Sequence, residues 1–198
     1  MGKAKRKSSQ PDSESVAPLL APIQALQSLI AKFHDQGVIV GGVAASLLGT
    51  PRYTVDLDAV FLLSIEDIPE LLAKASQLGI EPRIADADTF AHRSRVLLLR
   101  HVASGIDIDL SLGILPFEVE MVERSGMVEV GPVKMRLPTP EDLIIMKAIA
   151  RRPKDLADIQ SIAASHPDLD KERIQYWVDQ FGEALDLPDL WIMIARLL

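Results

Sequence analysis

The chain has no cysteine. Disulfide staples and thiolate metal sites are therefore excluded, and with them the small secreted scaffolds that depend on either. Aromatic residues make up only 5%, and the two tryptophans, Trp177 and Trp191, read as packing anchors rather than base-stacking platforms. No apolar run approaches the roughly 20 uncharged residues that a helix needs to cross a bilayer, so no membrane partner is expected. Positive charge is also in deficit. A net charge of -7 argues against broad affinity for duplex DNA, which relies on neutralising many phosphates, so any nucleic-acid contact should be local. Several chemistries are missing by motif: there is no Gly-x-Ser-x-Gly, no Walker A sequence and no dinucleotide Gly-x-Gly-x-x-Gly. His34, His92, His101 and His166 show no paired metal spacing.

At 198 residues and 48% hydrophobic content the chain can bury one good core with a small helical appendage, as expected of a small cytoplasmic enzyme. The basic start Met1 to Lys7 runs into Ser8-Ser9-Gln10-Pro11-Asp12-Ser13-Glu14-Ser15 instead of an apolar signal core, so residues 1–17 are expected to be a disordered tail. Residues 18–138 should form an α/β core, and residues 139–198 a helical region closing its cleft. Within the core, a helix is expected from about Leu19 to His34 and another from Ile65 to Leu78. Two antiparallel hairpins follow, Arg95 to Val102 with Ile106 to Leu112, and Met127 to Leu137 turning at Gly131-Pro132. Helices starting near Thr139, Pro153, Asp168 and Pro188 complete an α+β fold with a mixed, mostly antiparallel sheet flanked by helices.

The chemistry concentrates in acids set at alternate positions. In Thr54-Val55-Asp56-Leu57-Asp58-Ala59-Val60-Phe61-Leu62 the two carboxylates share one strand face, roughly 7 Å apart at Cα, where they can converge on a pair of divalent ions. The competing reading is a solvent-facing strand with two gatekeeper acids. Ile106-Asp107-Ile108-Asp109-Leu110-Ser111-Leu112 repeats the pattern, and either acid of this second pair could be the further metal ligand. If the two strands pair, three or four carboxylates meet at one spot, which is hard to justify electrostatically without cations. Taken alone, Asp107 and Asp109 equally suit the wet face of an antiparallel sheet.

Upstream, Val38-Ile39-Val40-Gly41-Gly42-Val43-Ala44-Ala45-Ser46-Leu47-Leu48-Gly49 reads as a buried strand, a glycine turn and a short helix. Without Cβ atoms at Gly41 and Gly42 the backbone can approach an anion, and the free N–H groups opening the helix favour negative charge there. The loop Thr50-Pro51-Arg52-Tyr53 leads back into the acidic strand, and the Arg52 guanidinium suits phosphate oxygens.

Taken in order, Gly41-Gly42, Arg52-x-Thr54-x-Asp56-x-Asp58 and Asp109-Leu110-x-Leu112-Gly113 resemble the polymerase-beta-like nucleotidyltransferase superfamily. Pro116-Phe117-Glu118, Pro140-Glu141-Asp142-Leu143-Ile144-x-x-Lys147 and Arg152-Pro153-Lys154-Asp155-Leu156-Ala157-Asp158-Ile159 are similar to the minimal nucleotidyltransferases of the AbiEii type, the toxins of type IV toxin/antitoxin pairs. The resemblance covers about residues 22–165. It implies that Asp56, Asp58 and Asp109 bind Mg2+, two ions with the nucleotide present. Gly41, Gly42, Arg52, Thr54 and Lys147 would hold a nucleoside triphosphate. It also implies an RNA or tRNA acceptor and an antitoxin partner. Where many relatives carry a serine this chain has Gly42, and Ser46, one turn on, is the substitute hydroxyl to expect.

Lys147 is the only polar residue in Leu143-Ile144-Ile145-Met146-Lys147-Ala148-Ile149-Ala150, a helix apolar all round. It either snorkels to the surface or reaches the metal carboxylates or the triphosphate. Asp155 and Asp158 lie on one helical face, with Lys154 placed to pair with Asp158, and Arg151-Arg152-Pro153-Lys154 offers a local basic cluster for RNA phosphates. The second basic stretch, Phe90 to Arg95 with Arg100-His101, is expected at a sheet edge. Two other classes compete with the transferase reading: an inactive nucleotide- or partner-binding protein on the same scaffold, and an enzyme that modifies a protein hydroxyl.

Overall fold

Ile23, Leu26, Leu29 and Ile30 recur at helical spacing and are fully buried, which is why Leu20–Lys32 forms the first helix, α1, of the computed structural model, which describes residues 19–198. The expected tail, residues 1–17, lies outside the described residues. Strand β1 (Gly37–Val40) is buried at every position and passes directly into α2 (Gly41–Leu48). Strand β2 (Asp56–Phe61) follows, then a short 3-10 turn (Ile65–Asp67) and α3 (Ile68–Ser76). The Ser64 hydroxyl accepts from the Glu66 N–H and the Asp67 carboxylate from the Ser64 N–H, so the expected single helix opens with a tight capped turn.

Strand β3 (Ile80–Pro82), helix α4 (Ala87–Ser94) and the hairpin β4 (Val96–His101) with β5 (Ile106–Leu112) complete the main sheet. Its order is β1-β2-β5-β4-β3, and only the central β2 to β5 pairing is parallel. The sheet is therefore mixed and mostly antiparallel, as expected. Helix α5 (Pro116–Arg124) leads to a separate hairpin, β6 (Gly126–Val130) and β7 (Val133–Leu137), whose second strand packs on α1 and β1.

Helices α6 (Pro140–Ala150), α7 (Pro153–Ser165), α8 (Lys171–Ala184) and α9 (Leu190–Ala195) form the C-terminal region. Thr139 caps α6 by accepting from the Asp142 N–H, and Pro140 opens it. Trp177 packs edge-on against Phe117 at 5.3 Å between ring centres, a packing anchor as expected. Helices α6 and α7 both rest on α2, so they stand over the glycine turn.

The structure departs from expectation at residues 90–95. Rather than a sheet edge, this stretch is most of α4, ended by Arg95 at φ 56°. Only Ala87 and Ala91 of that helix are buried, and two alanines four apart leave almost no hydropathic trace. Strand β3, three residues long, is too short to show a period.

Candidate active site

The site begins where β1 stops. Gly41 sits at φ +67°, and a Cβ there would lie 1.8 Å from Asp58 Oδ2, so only glycine lets the turn close over this carboxylate. Gly42 is the second residue of α2, and its backbone favours the ionised Asp58 carboxylate, against the larger effect of burial. A Cβ at Gly42 would meet Thr54 Oγ1 at 2.6 Å, which explains why this turn has no room for a serine. Ser46 does not replace that hydroxyl. Its side chain is buried, with the hydroxyl 2.9 Å from the Gly42 carbonyl and 3.1 Å from the Arg52 carbonyl, and it braces the turn from behind.

Gly41→Ala is expected to leave a folded protein with the Asp58 side chain pushed aside and transfer lowered by about 10²-fold or more, since a misplacement of about 1 Å can cost that much. Circular dichroism with a transfer assay checks it; full activity would detach the turn from the site.

The central parallel register sets Asp56 level with Asp107 and Asp58 level with Asp109. The four acids therefore lie on neighbouring positions at one end of the β2 and β5 ladder. Thr54 Oγ1 donates to Asp56 Oδ1 at 3.0 Å and orients it. Burial holds the Asp58 carboxyl above its ordinary range, and the charges of Asp56 and Asp109 push the same way. Burial also raises Asp109. Asp107 is different. The Arg100 guanidinium at 2.6 Å, joined by Arg83 at 2.6 Å, holds it below the ordinary range. Arg83 also donates to Asp109 Oδ1 at 2.6 Å.

Among the described residues, no three carboxylate or imidazole groups converge closely enough to hold an ion as they stand. The donor set nevertheless suits one. It consists of carboxylate oxygens without sulfur or nitrogen, the preference of hard cations such as Mg2+. Burial and mutual repulsion raise Asp58, and Asp109 already carries a cation, the Arg83 guanidinium.

Opposite the acids stands a wall of cations tied to two buried carboxylates. Arg52 makes a two-pronged contact to Asp158, with Nε at 2.8 Å and Nη2 at 2.9 Å. Lys147 Nζ lies 2.7 Å from Asp158 and 3.2 Å from Asp155, and Arg152 Nε lies 2.6 Å from Asp155. Burial pushes both acids up, but hydrogen bonds from Arg152 and Lys147 leave Asp155 low, and those from Arg52 and Lys147 do so for Asp158. Two expectations are corrected here. Lys147 neither snorkels nor touches Asp56, Asp58 or Asp109; it is 4% exposed and bridges α6 to α7. Asp158 pairs with Arg52 and Lys147 and not with Lys154, because Asp158 is turned inward while Lys154 stays exposed.

Two adjoining cavities share Gly41, Asp58, Asp109, Lys147 and Arg152. One, of about 260 Å3, is polar and adds Gly42, Arg52, Tyr53, Thr54, Asp56 and Lys154. The other, of about 170 Å3, runs under α6 between Val40, Val60, Leu143, Met146 and Ala150, with Ser111 at its polar side. Tyr53, at the rim and 78% exposed, and Arg83 escaped the reading of the sequence. Arg83 lies 26 residues from Asp109, and no local pattern links them.

The architecture is found elsewhere. An antigenic nucleotidyltransferase-like protein from Paracoccidioides brasiliensis shares 17% identity, with 89% of this chain and 93% of that one covered at a TM-score of 0.54. The antibiotic-resistance factor ANT(2'')-Ia, solved in solution, shares 15% identity over 87% of this chain and 95% of that one, at a TM-score of 0.57. No curated protein matches the chain. At such identities the likeness speaks for the fold, which is that of nucleotidyltransferases. The sequence carries the assignment one step further: the chain belongs to the nucleotidyltransferase family of unknown function DUF6036, whose model matches residues 19–177. It is a transferase of the nucleotidyltransferase type. No described helix is long and apolar enough to cross a membrane.

Proposed function

We propose that the protein transfers a nucleoside monophosphate from a nucleoside triphosphate to an acceptor hydroxyl, with Mg2+ held by Asp56, Asp58 and Asp109. The observation that carries this reading is the register that sets Asp58 beside Asp109, facing Gly41-Gly42 and the wall of Arg52, Lys147 and Arg152. The ions, when bound, would lower the pKa of the acceptor hydroxyl and neutralise charge on the leaving pyrophosphate. The chain's own part is positioning. The N–H groups at the start of α2 receive phosphate oxygens, and Lys154 and Arg152 neutralise the distal charge. Asp155 and Asp158 act as tethers that fix the directions of Lys147, Arg152 and Arg52, so little reorganisation is left for the reaction. No nucleophilic side chain is needed.

The acceptor we favour is an RNA or tRNA hydroxyl, and the role that of an AbiEii-type toxin working in the cytoplasm beside an antitoxin. The exposed run Arg151 to Lys154 at the cleft mouth supports local phosphate contacts. A small-molecule acceptor is the second reading, favoured by the apolar cavity under α6 next to Asp109. Incubation with each labelled nucleoside triphosphate, Mg2+ and total RNA or cell extract separates them. Label on RNA is the expected result; label on protein or on a small molecule redirects the acceptor, and no label with any of them refutes transfer.

A further inference from the structure

Resting on that reading of the site, we propose that Arg83 is the resident counter-ion of Asp109, a positioning residue that holds the third carboxylate off the metal site and releases it as metal arrives with nucleotide. Arg83 follows β3, and its backbone N–H donates to the Leu98 carbonyl on β4 at 3.0 Å. Leu98 is in turn the register partner of Asp109, so the Arg83 side chain needs only to cross β4 to reach β5. There one planar guanidinium spans both acids of the strand, Nη1 on Asp107 Oδ2 and Nη2 on Asp109 Oδ1, each at 2.6 Å.

The two acids have different duties. Asp107 also accepts from Arg100 at 2.6 Å, so it has two cationic partners and anchors Arg83 whether or not Asp109 is held. Asp109 is left with the separable half of the pair. It lines both cavities beside Asp58, whereas Asp107 lines neither. That difference selects Asp109 over Asp107 as the metal-facing acid. Arg83 holds Oδ1 of Asp109, so a divalent ion entering alone must either share this carboxylate with a cation that repels it or displace Arg83. An ion that arrives on a triphosphate brings additional ligands and compensating contacts to the cation wall. Loading is thereby coupled to nucleotide, and the nucleotide-free site stays closer to charge balance.

The competing account makes Arg83 a plain staple between β3 and β5. Mn2+ binding, followed by electron paramagnetic resonance without nucleotide, separates the two. Arg83→Met is expected to bind free Mn2+ about tenfold or more tightly than wild type, the worth of one charge-assisted hydrogen bond, and Arg83→Met combined with Asp109→Asn should lose that gain. Arg100→Met, which unpairs only Asp107, should show no gain. A wild-type affinity in folded Arg83→Met, or an equal gain in Arg100→Met, overturns the proposal. Arg83→Gln serves as the second variant if Arg83→Met unfolds, with the same expectations. Adding a non-hydrolysable nucleoside triphosphate to wild type tests the underlying reading separately. If wild type binds Mn2+ with nucleotide while the Arg83 variants show no gain without it, only the Arg83 proposal fails. If wild type binds no Mn2+ even with nucleotide, the metal-dependent transfer reading fails first.

Discussion

Asp58→Asn is expected to abolish transfer, by about 10³-fold or more, while raising the thermal midpoint measured in a metal chelator. The two effects have one cause. Burial and the neighbouring charges of Asp56 and Asp109 disfavour an ionised Asp58 in the folded chain. Removing its charge relieves that repulsion but also removes an oxygen donor that the metal requires. Asn keeps the shape and a side-chain oxygen acceptor under the glycine turn. Transfer kinetics and calorimetry on the same preparation check the pair of effects. Full activity would sink the carboxylate mechanism. A large fall in midpoint would mean that Asp58 is held mainly for its hydrogen bonds.

Lys147→Met carries the opposite sign for stability. Read from the sequence alone, methionine in an apolar helix looks harmless or stabilising. The structure reverses this. Lys147 bridges Asp155 and Asp158, whose side chains are 1% and 7% exposed, and its loss leaves two buried carboxylates short of a cation. Breaking such a pair costs about 3 to 5 kcal/mol, and the lower end is expected because Arg152 and Arg52 stay in place. Both acids have lowered folded-state values, so their stabilising effect is present above the unfolded carboxylate range and is lost below it, as pH falls through the lower folded values. The destabilisation by Lys147→Met should therefore be full at neutral pH and shrink below about pH 4. Denaturant unfolding at several pH values measures it. Unchanged stability at neutral pH would show that Lys147 does not sit in a working ion network. Nucleotide affinity should also fall, by about tenfold or more, because the cleft loses the Lys147 ammonium that lines both cavities.

Much of the site could be read in the chain because its grammar is local. Alternation in Asp56-Leu57-Asp58 and Asp107-Ile108-Asp109 places each acid pair on one face whatever the strand packs against. The glycine turn opening α2 follows from residue type alone, and Gly41 at φ +67° bears it out. Ser46 shows where that reasoning stops. A hydroxyl one turn along a helix was placed by sequence distance, but its direction depends on the carbonyls of Gly42 and Arg52 that it meets. The missed helix α4 shows another limit, since a face made of Ala87 and Ala91 gives hydropathy little to detect.

By itself, then, the sequence determined the α+β class, the hairpins, the alternating acid pairs and the glycine turn, since each depends on backbone preference and side-chain period over a few residues. Only the tertiary structure decided which partners meet. The parallel register that sets Asp58 against Asp109 joins strands some 50 residues apart. The Arg52 grip on Asp158 spans 106 residues, and the Arg83 grip on Asp109 spans 26. An ion pair carries no periodic signal, and many arginines in the chain could have served; which one does so is settled by where the packed sheet and helices bring their charged ends together.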